Sequence, residues 1–363
     1  MSYTYSIDPK AMFQDRFKQF VSFGIPREDV EVLQATITDM WADEPGGWTF
    51  EWSAFARKYM EAGNPLLASL AYGCAKFPCV ANDARRTALQ NQLAAYLIAA
   101  PQFPVNFERH ILALPFRGDI LNLPVHLFSK SGQYNDKPIL MFSGGVDTYK
   151  MDAHLLIVKL AQRLDATILA FDQPGTAENP IPLSIEGDEM VLELVKQARK
   201  LGNGTVLHFG MSFGGNFSAM TGLSGAVDAA VVLGGPMEKA WTRKNLETLP
   251  YGMPGIIGND MGFDHELTLD EFTAAVGTFS RRSLLERNDN SPMLVINGAE
   301  DVFIPKEDTL IFEARKNTEV HLLPGTGHCA SSKLPAVIDL ICGWLPKYIN
   351  SDSKSPLKIA NNQ

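Results

Sequence analysis

One serine stands where a turn can make it a nucleophile. In "HFGMSFGGNFSAM", Ser212 is framed by Gly210 and Gly214, the chain's single GxSxG spacing. The apolar run "TVLHFG" before it reads as a strand, and "GGNFSAMTG" after it reads as the start of a helix. That strand, turn and helix setting is what a nucleophile elbow needs. The flanking residues must be small because the serine backbone is strained there and the neighbouring chain passes close. Without catalysis, the same pattern is a glycine-rich turn that packs a helix onto a sheet.

A serine hydroxyl attacks a carbonyl only when a base takes its proton and a carboxylate orients that base. With a nucleophile elbow the expected chain order is serine, acid, histidine. "MLVINGAEDVFIP" supplies a strand and then a loop carrying Asp301, left on the loop crest by the helix start at Pro305. Glu300 and Glu238 are rival acids. "EVHLLPGTGHCA" supplies the next strand and then His328 in a glycine-rich loop, free to reach across the sheet edge. His321, inside that strand, and His208, on the strand leading to the serine, read as structural.

An oxyanion needs backbone donors fixed in advance. The Phe213 amide, directly after the serine, is one. The other is expected from "FSGGVDTYK", where Gly144 and Gly145 leave the backbone open and either Gly145 or Val146 can donate. Asp147 is unusual beside such a hole, since its charge opposes the oxyanion unless it binds a substrate proton or a cationic group. Asp172 to Gly175, in "FDQPGTAENP", read as a turn near the site.

The elements that must position these residues follow from periodicity. Up to about Phe103, apolar residues recur at threes and fours in five runs from "DPKAMFQDRFKQFVSFGI" to "ARRTALQNQLAAYLIAA", so residues 1–105 form a helical cap domain. Trp41, Trp48, Trp52, Phe55 and Tyr59 read as its packing surface. After Pro104, "ERHILALPF" and "LPVHLFS" read as an antiparallel pair joined by "RGDILN". Short apolar runs then alternate with amphipathic helices, which predicts a mostly parallel sheet with helices on both faces over residues 106–350. An insertion at about 236–290 reads as a lid or pocket wall, with Tyr251, Met253 and His265 as substrate-binding candidates beside Met261 and Phe263. The tail 351–363 reads as disordered.

Composition narrows the function. The chain has 363 residues, 45% hydrophobic and 20% charged, as in an ordinary globular protein. A net charge of -9 without clustered Lys or Arg excludes a nucleic-acid partner and an anionic membrane surface. The N-terminus lacks the basic start and apolar run of a signal peptide, and no segment approaches the roughly 20 apolar residues of a membrane helix. Cys74, Cys79, Cys329 and Cys342 have no metal-ligand spacing. A reduced, cytoplasmic protein without metal or cofactor is expected, with a Cys74 to Cys79 bridge formally open.

Together, "GGVD", "DQPGTAE", "GMSFGG", "NGAEDVFIP" and "GTGH", preceded by a helical region with "WTFEWSAFARKYMEAG", resemble the α/β-hydrolases related to dihydroxypseudooxynicotine hydrolase. That group includes the fungal yellowish-green polyketide-shortening hydrolase and the fermentation-respiration switch proteins. The resemblance covers nearly the whole chain. It implies an α/β-hydrolase fold with a helical accessory domain, a Ser212, Asp301 and His328 triad, and a homodimer. Asp147 matches the position of a catalytically important glutamate in the nicotine-pathway enzyme. Several members cleave carbon-carbon bonds in 1,3-dicarbonyl or acylated aromatic substrates, and such activity is implied here. The apolar, Met-rich lid agrees with an aromatic or polyketide-like carbonyl substrate. A carboxylesterase or lactonase, an acyl-transferring cyclase, and a non-catalytic regulatory protein on the same scaffold are the competing readings.

Overall fold

The computed structural model describes residues 2–130, 132 and 134–349, so the tail 351–363 lies outside the described residues. Five helices come first: α1 (Pro9–Ser22), α2 (Arg27–Thr36), α3 (Trp48–Glu61), α4 (Pro65–Lys76) and α5 (Asp83–Ala99). Local chemistry sets their ends. The Asp8 carboxylate caps α1 with Pro9 behind it, and the Asn64 and Asn82 side chains cap α4 and α5. Trp48 and Trp52 are fully buried and pack with Phe13 and Phe20, so the tryptophan stripe is packing surface as expected.

Eight strands follow in one sheet, in the order β1-β2-β4-β3-β5-β6-β7-β8. They are β1 (Asn106–Phe116), β2 (Asp119–Ser129), β3 (Ile139–Ser143), β4 (Thr167–Phe171), β5 (Val206–Met211), β6 (Ala229–Leu233), β7 (Met293–Gly298) and β8 (Thr318–Leu323). Strand β2 runs antiparallel to both its neighbours, and β4 to β8 and β3 are mutually parallel, the pattern of an α/β-hydrolase sheet. The β1/β2 connection is tighter than "RGDILN" implied. Only Arg117 and Gly118 turn, at φ 52° and 89°, and Asp119 already belongs to β2.

Strands β3, β4 and β6 are buried along their lengths, and β5 up to the half-buried Met211, because helices cover both faces. Alternation along β3 shows the two layers. Ile139 and Met141 join the core under α7 (Gly187–Leu201) and α8 (Gly214–Leu223), whereas Leu140 and Phe142 join the core under α6 (His154–Arg163) and α14 (Leu334–Trp344). Helix α8, which follows the serine, is buried on every side. The remaining helices are short or belong to the insertion: α9 (Arg243–Leu246), α10 (Met253–Asp260), α11 (Leu269–Gly277), α12 (Arg282–Leu285), α13 (Glu307–Leu310) and α15 (Pro346–Ile349).

The helical layer is joined to the sheet by polar contacts as well as packing. Lys76 of α4 and Gln92 of α5 both bind the buried Asp152 carboxylate at 2.7 Å, and Asp152 also accepts the Tyr149 amide. A buried charge with this many partners is tolerated only in one geometry, which sets the register of the helices on the sheet. All four cysteines are free and buried, so no Cys74 to Cys79 bridge forms. Among the described residues, no helix is long and apolar enough to cross a membrane.

Candidate active site

Ser212 sits between β5 and α8 with φ 56°, in the left-handed region that costs a non-glycine residue energy. Its amide is held by the Leu233 carbonyl at 2.8 Å. The GxSxG glycines are there for space. A Cβ on Gly210 would lie 2.0 Å from the Gly214 carbonyl oxygen, and one on Gly214 would lie 2.4 Å from that of Gly144.

The structure brings three of the singled-out side chains into one hydrogen-bonded row. Ser212 Oγ is 2.9 Å from His328 Nε2, and His328 Nδ1 is 2.7 Å from Asp301 Oδ2. Asp301 also accepts the Phe303 and Ile304 amides and the Asn297 side chain. Burial alone would raise the Asp301 carboxyl, but the facing imidazole and these donors outweigh it and hold it below the usual range. Burial likewise works to lower His328, and the Asp301 charge overrides it, placing the imidazole well above its ordinary value.

The rival acids have other employment. Glu300 accepts the Thr326 amide and so braces the histidine loop, while Glu238 binds Ser280 and Arg282. His208 is buried, hydrogen-bonded to Thr221, and pushed down to about 3 by burial, as a structural histidine should be. Asp172 shapes its turn by pairing with the buried Lys150, which also reaches Glu178.

The loop after β3 lies against the serine. A Cβ on Gly145 would stand 2.8 Å from Ser212 Cβ and 2.9 Å from Oγ. Gly145 and Val146 therefore border the same space as Phe213. Asp147 is not free to meet a substrate cation. Its carboxylate is buried and paired with Arg16 of α1 at 2.9 Å, and it also accepts the Thr148 hydroxyl. Arg16 continues over the Phe303 ring at 5.6 Å, and Phe303 packs edge-on against His328. Gln19 of the same helix binds Thr148. One face of α1 thus touches both the loop after β3 and the loop that carries the acid.

A cavity of about 40 Å³ opens onto Ser212 and His328, walled by Val146, Trp241, Leu246, Met253, Ile257 and Phe303. That is room for about one water, so a carbonyl substrate enters only if the wall shifts. The 236–290 insertion lines this cavity with Trp241, Leu246, Leu249, Met253 and Ile257. Of its three substrate-binding candidates, Met253 lines the cavity and Tyr251 stands behind it, ring against Phe303. His265 does not: it is exposed and paired with Asp264, because the segment after α10 turns back to the surface. A larger open groove of about 690 Å³ runs along α7 past Glu189, Leu192 and Lys196 and shares no lining residue with the serine cavity.

Comparison with known proteins gives the family and the fold. The family model described as "Esterase FrsA-like" matches residues 20–347. The chain belongs to the FrsA-like esterase family. Esterase FrsA of Vibrio cholerae serotype O1 is 27% identical over 251 residues, 62% of this chain and 58% of that protein, so the match spans under two thirds of the curated relative. Among solved structures, AbyA5 superposes with a TM-score of 0.76 at 19% identity, covering 90% of this chain and 92% of its own. A 2,6-dihydroxy-pseudo-oxynicotine hydrolase superposes with a TM-score of 0.71 at 18% identity, covering 92% and 95%. The helical region is therefore part of the shared fold.

Some residues that shape this site carried no sequence signal. Asn297 joins the acid loop to the histidine loop, giving its Nδ2 to Asp301 and accepting the Cys329 amide. Asp308 accepts the amides of Met237, Glu238, Lys239 and Ala240 and so anchors the start of the pocket wall. Cys329 and Ala330 both have positive φ, a kink that turns His328 toward the serine.

Proposed function

We propose that this protein is a serine-dependent acyl hydrolase of the FrsA-like family, acting through an acyl-enzyme on an apolar aromatic or polyketide-like ketone and cleaving a carbon-carbon bond. The observation that carries the hydrolytic part is the row from Ser212 Oγ through His328 to Asp301, at 2.9 and 2.7 Å, opening onto an apolar cavity. Carbon-carbon cleavage draws support from the whole-chain likeness to the 2,6-dihydroxy-pseudo-oxynicotine hydrolase.

In this reading His328 Nε2 takes the Ser212 proton as Oγ attacks the carbonyl carbon. The oxyanion is held by the Phe213 amide and by that of Val146 or Gly145. Collapse breaks the bond to the departing carbon, which leaves as an enol or phenol-stabilised carbanion and takes the proton from His328. Water, deprotonated in turn by His328, then attacks the acyl-serine and releases a carboxylic acid.

A second reading, ordinary ester hydrolysis, uses the same residues. It is favoured by the Arg16 pairing of Asp147, which removes the most obvious helper for a carbon leaving group. Wild type, Ser212→Ala and Asp147→Asn, each offered a p-nitrophenyl ester and an acylated polyhydroxynaphthalene with products followed by mass spectrometry, separate the two. Cleavage of the ketone that is lost in Ser212→Ala supports the carbon-carbon reading. Turnover of the ester alone makes the protein an esterase. No turnover of either, with no serine labelling by a phosphonate, overturns acyl hydrolysis altogether.

A further inference from the structure

Helix α10 supplies Met253 and Ile257 to the cavity wall, and Asp260 follows on the same face, since steps of four and three residues stay on one side of a helix. Asp260 is buried, yet among the described residues its Oδ2 has no hydrogen-bond partner. Two neighbours share that condition. The Tyr149 hydroxyl, three residues beyond the cavity residue Val146, has no partner, and neither polar atom of the buried Gln173 amide has one.

These groups come from three elements that converge. Gly175, two residues after Gln173, is packed so closely on Asp260 that an added Cβ would lie 2.9 Å from the Asp260 Cβ. The Asp260 carbonyl also accepts the Leu183 amide, closing the loop after β4 against α10. Tyr149 is raised by burial first and then, among charged neighbours, most by Asp260. Folded proteins seldom leave a buried polar group bare, because desolvation without a hydrogen bond is costly. The three lie just beyond the cavity residues Val146 and Ile257 and in the loop after β4, and among the described residues nothing satisfies these atoms.

The chemistry of the set limits what it takes. Burial first, and then the Asp147 charge against the opposing pull of Lys76, push the Asp260 carboxyl well above the carboxylate range, which favours its protonated form. It then offers one donor and one acceptor. The Tyr149 phenol offers the same, and the Gln173 amide adds donors and an acceptor. No free cation is among them: Lys76, which stands over the Tyr149 ring, is committed to Asp152, and burial without a free cation disfavours an anion.

We propose that Asp260, Tyr149 and Gln173 form a polar subsite that binds an uncharged phenol or enol hydroxyl of the substrate. With Asp147 committed to Arg16, holding the substrate's enol or phenol falls to these three side chains. The proposal rests on the acyl-hydrolase reading for its place in the reaction, but its binding chemistry is testable without turnover.

The test uses the full chain carrying Ser212→Ala, titrated calorimetrically with 1,3-dihydroxynaphthalene, naphthalene and 2-naphthoate, then repeated with Tyr149→Phe, Asp260→Leu or Gln173→Leu added. The dihydroxy compound is expected to bind at least tenfold more tightly than naphthalene, 2-naphthoate more weakly than either, and each added substitution to bring the first ratio toward one. In active protein the ratio of kcat/KM for a hydroxylated aryl ester over its deoxy analogue should fall likewise, chiefly through KM. Tyr149→Phe removes one oxygen only, so it keeps the test valid if a leucine variant fails to fold. Equal binding of naphthalene and its diol, or a ratio unchanged by all three substitutions, overturns the subsite. Turnover that fails while the binding ratio holds overturns only the acyl-hydrolase reading.

Discussion

Arg16 and Asp147 form a buried pair between a helix of the N-terminal layer and the loop that borders the serine, and its two ends are unequally supported. The side chains are 10% and 8% exposed. Arg16→Met leaves Asp147, among the described residues, with the Thr148 hydroxyl as its remaining partner and removes the cation over the Phe303 and Phe77 rings. Removing one partner of a buried pair costs about 3–5 kcal/mol because the other charge stays behind, so a loss of about 4 kcal/mol is expected. Asp147→Asn leaves Arg16 beside Asp15 at 2.7 Å and bound to Gln19 at 2.9 Å, so about 1–2 kcal/mol is expected there. The double variant has no stranded charge at Asp147 and should recover about 2 kcal/mol of the summed loss. Urea unfolding of the four proteins, followed by circular dichroism at pH 7, reads each term. A coupling below about 0.5 kcal/mol, or an Asp147→Asn loss exceeding that of Arg16→Met, would refute the reasoning.

Three further outcomes follow from the same geometry. Gly145→Ala places a methyl 2.8 Å from Ser212 Cβ, so kcat on a p-nitrophenyl ester should drop about 100-fold or more while the fold survives; full activity would show that the loop gives way. Asp301→Asn should lower kcat/KM by about 10³–10⁴-fold. It should also move the acid limb of the pH profile downward, because the charge that raises His328 is gone; an upward shift contradicts the assignment. His126, His154 and His208 are all held neutral by burial, His154 near 4 and His208 near 3. Below about pH 6.5 the unfolded chain takes up protons that the folded one refuses, so stability should fall with acidification by about 1.4 kcal/mol per pH unit for each histidine. Urea midpoints at pH 7 and 5 measure this, and His208→Gln should shallow the slope; an unchanged slope would remove His208 from the account.

What the sequence determined by itself is what short-range sterics and chain order control. The elbow at Ser212 was readable because Gly210 and Gly214 answer to backbone atoms a few residues away or on the adjacent strand. The five N-terminal helices and the alternation of buried strands with helices were readable because burial imposes a period on neighbouring residues. The order of serine, acid and histidine pointed to Asp301 and His328, although Glu300 differs from Asp301 by only one position. In the tertiary structure Asp301 accepts from His328 Nδ1, and Glu300 turns to the Thr326 amide. It also placed His265 at the surface, since an insertion of short helices has no sustained period to say which side faces the pocket. The partnership of Asp147 with Arg16, the Asp308 anchor under the pocket wall and the convergence of Asp260, Tyr149 and Gln173 left no trace in the sequence. Each joins side chains from separate elements, and a charge or hydroxyl looks the same in a string of letters whether it meets water, an ion partner or a ligand. Only the packing of α1 and α10 against the loops of the sheet decides which of these it meets.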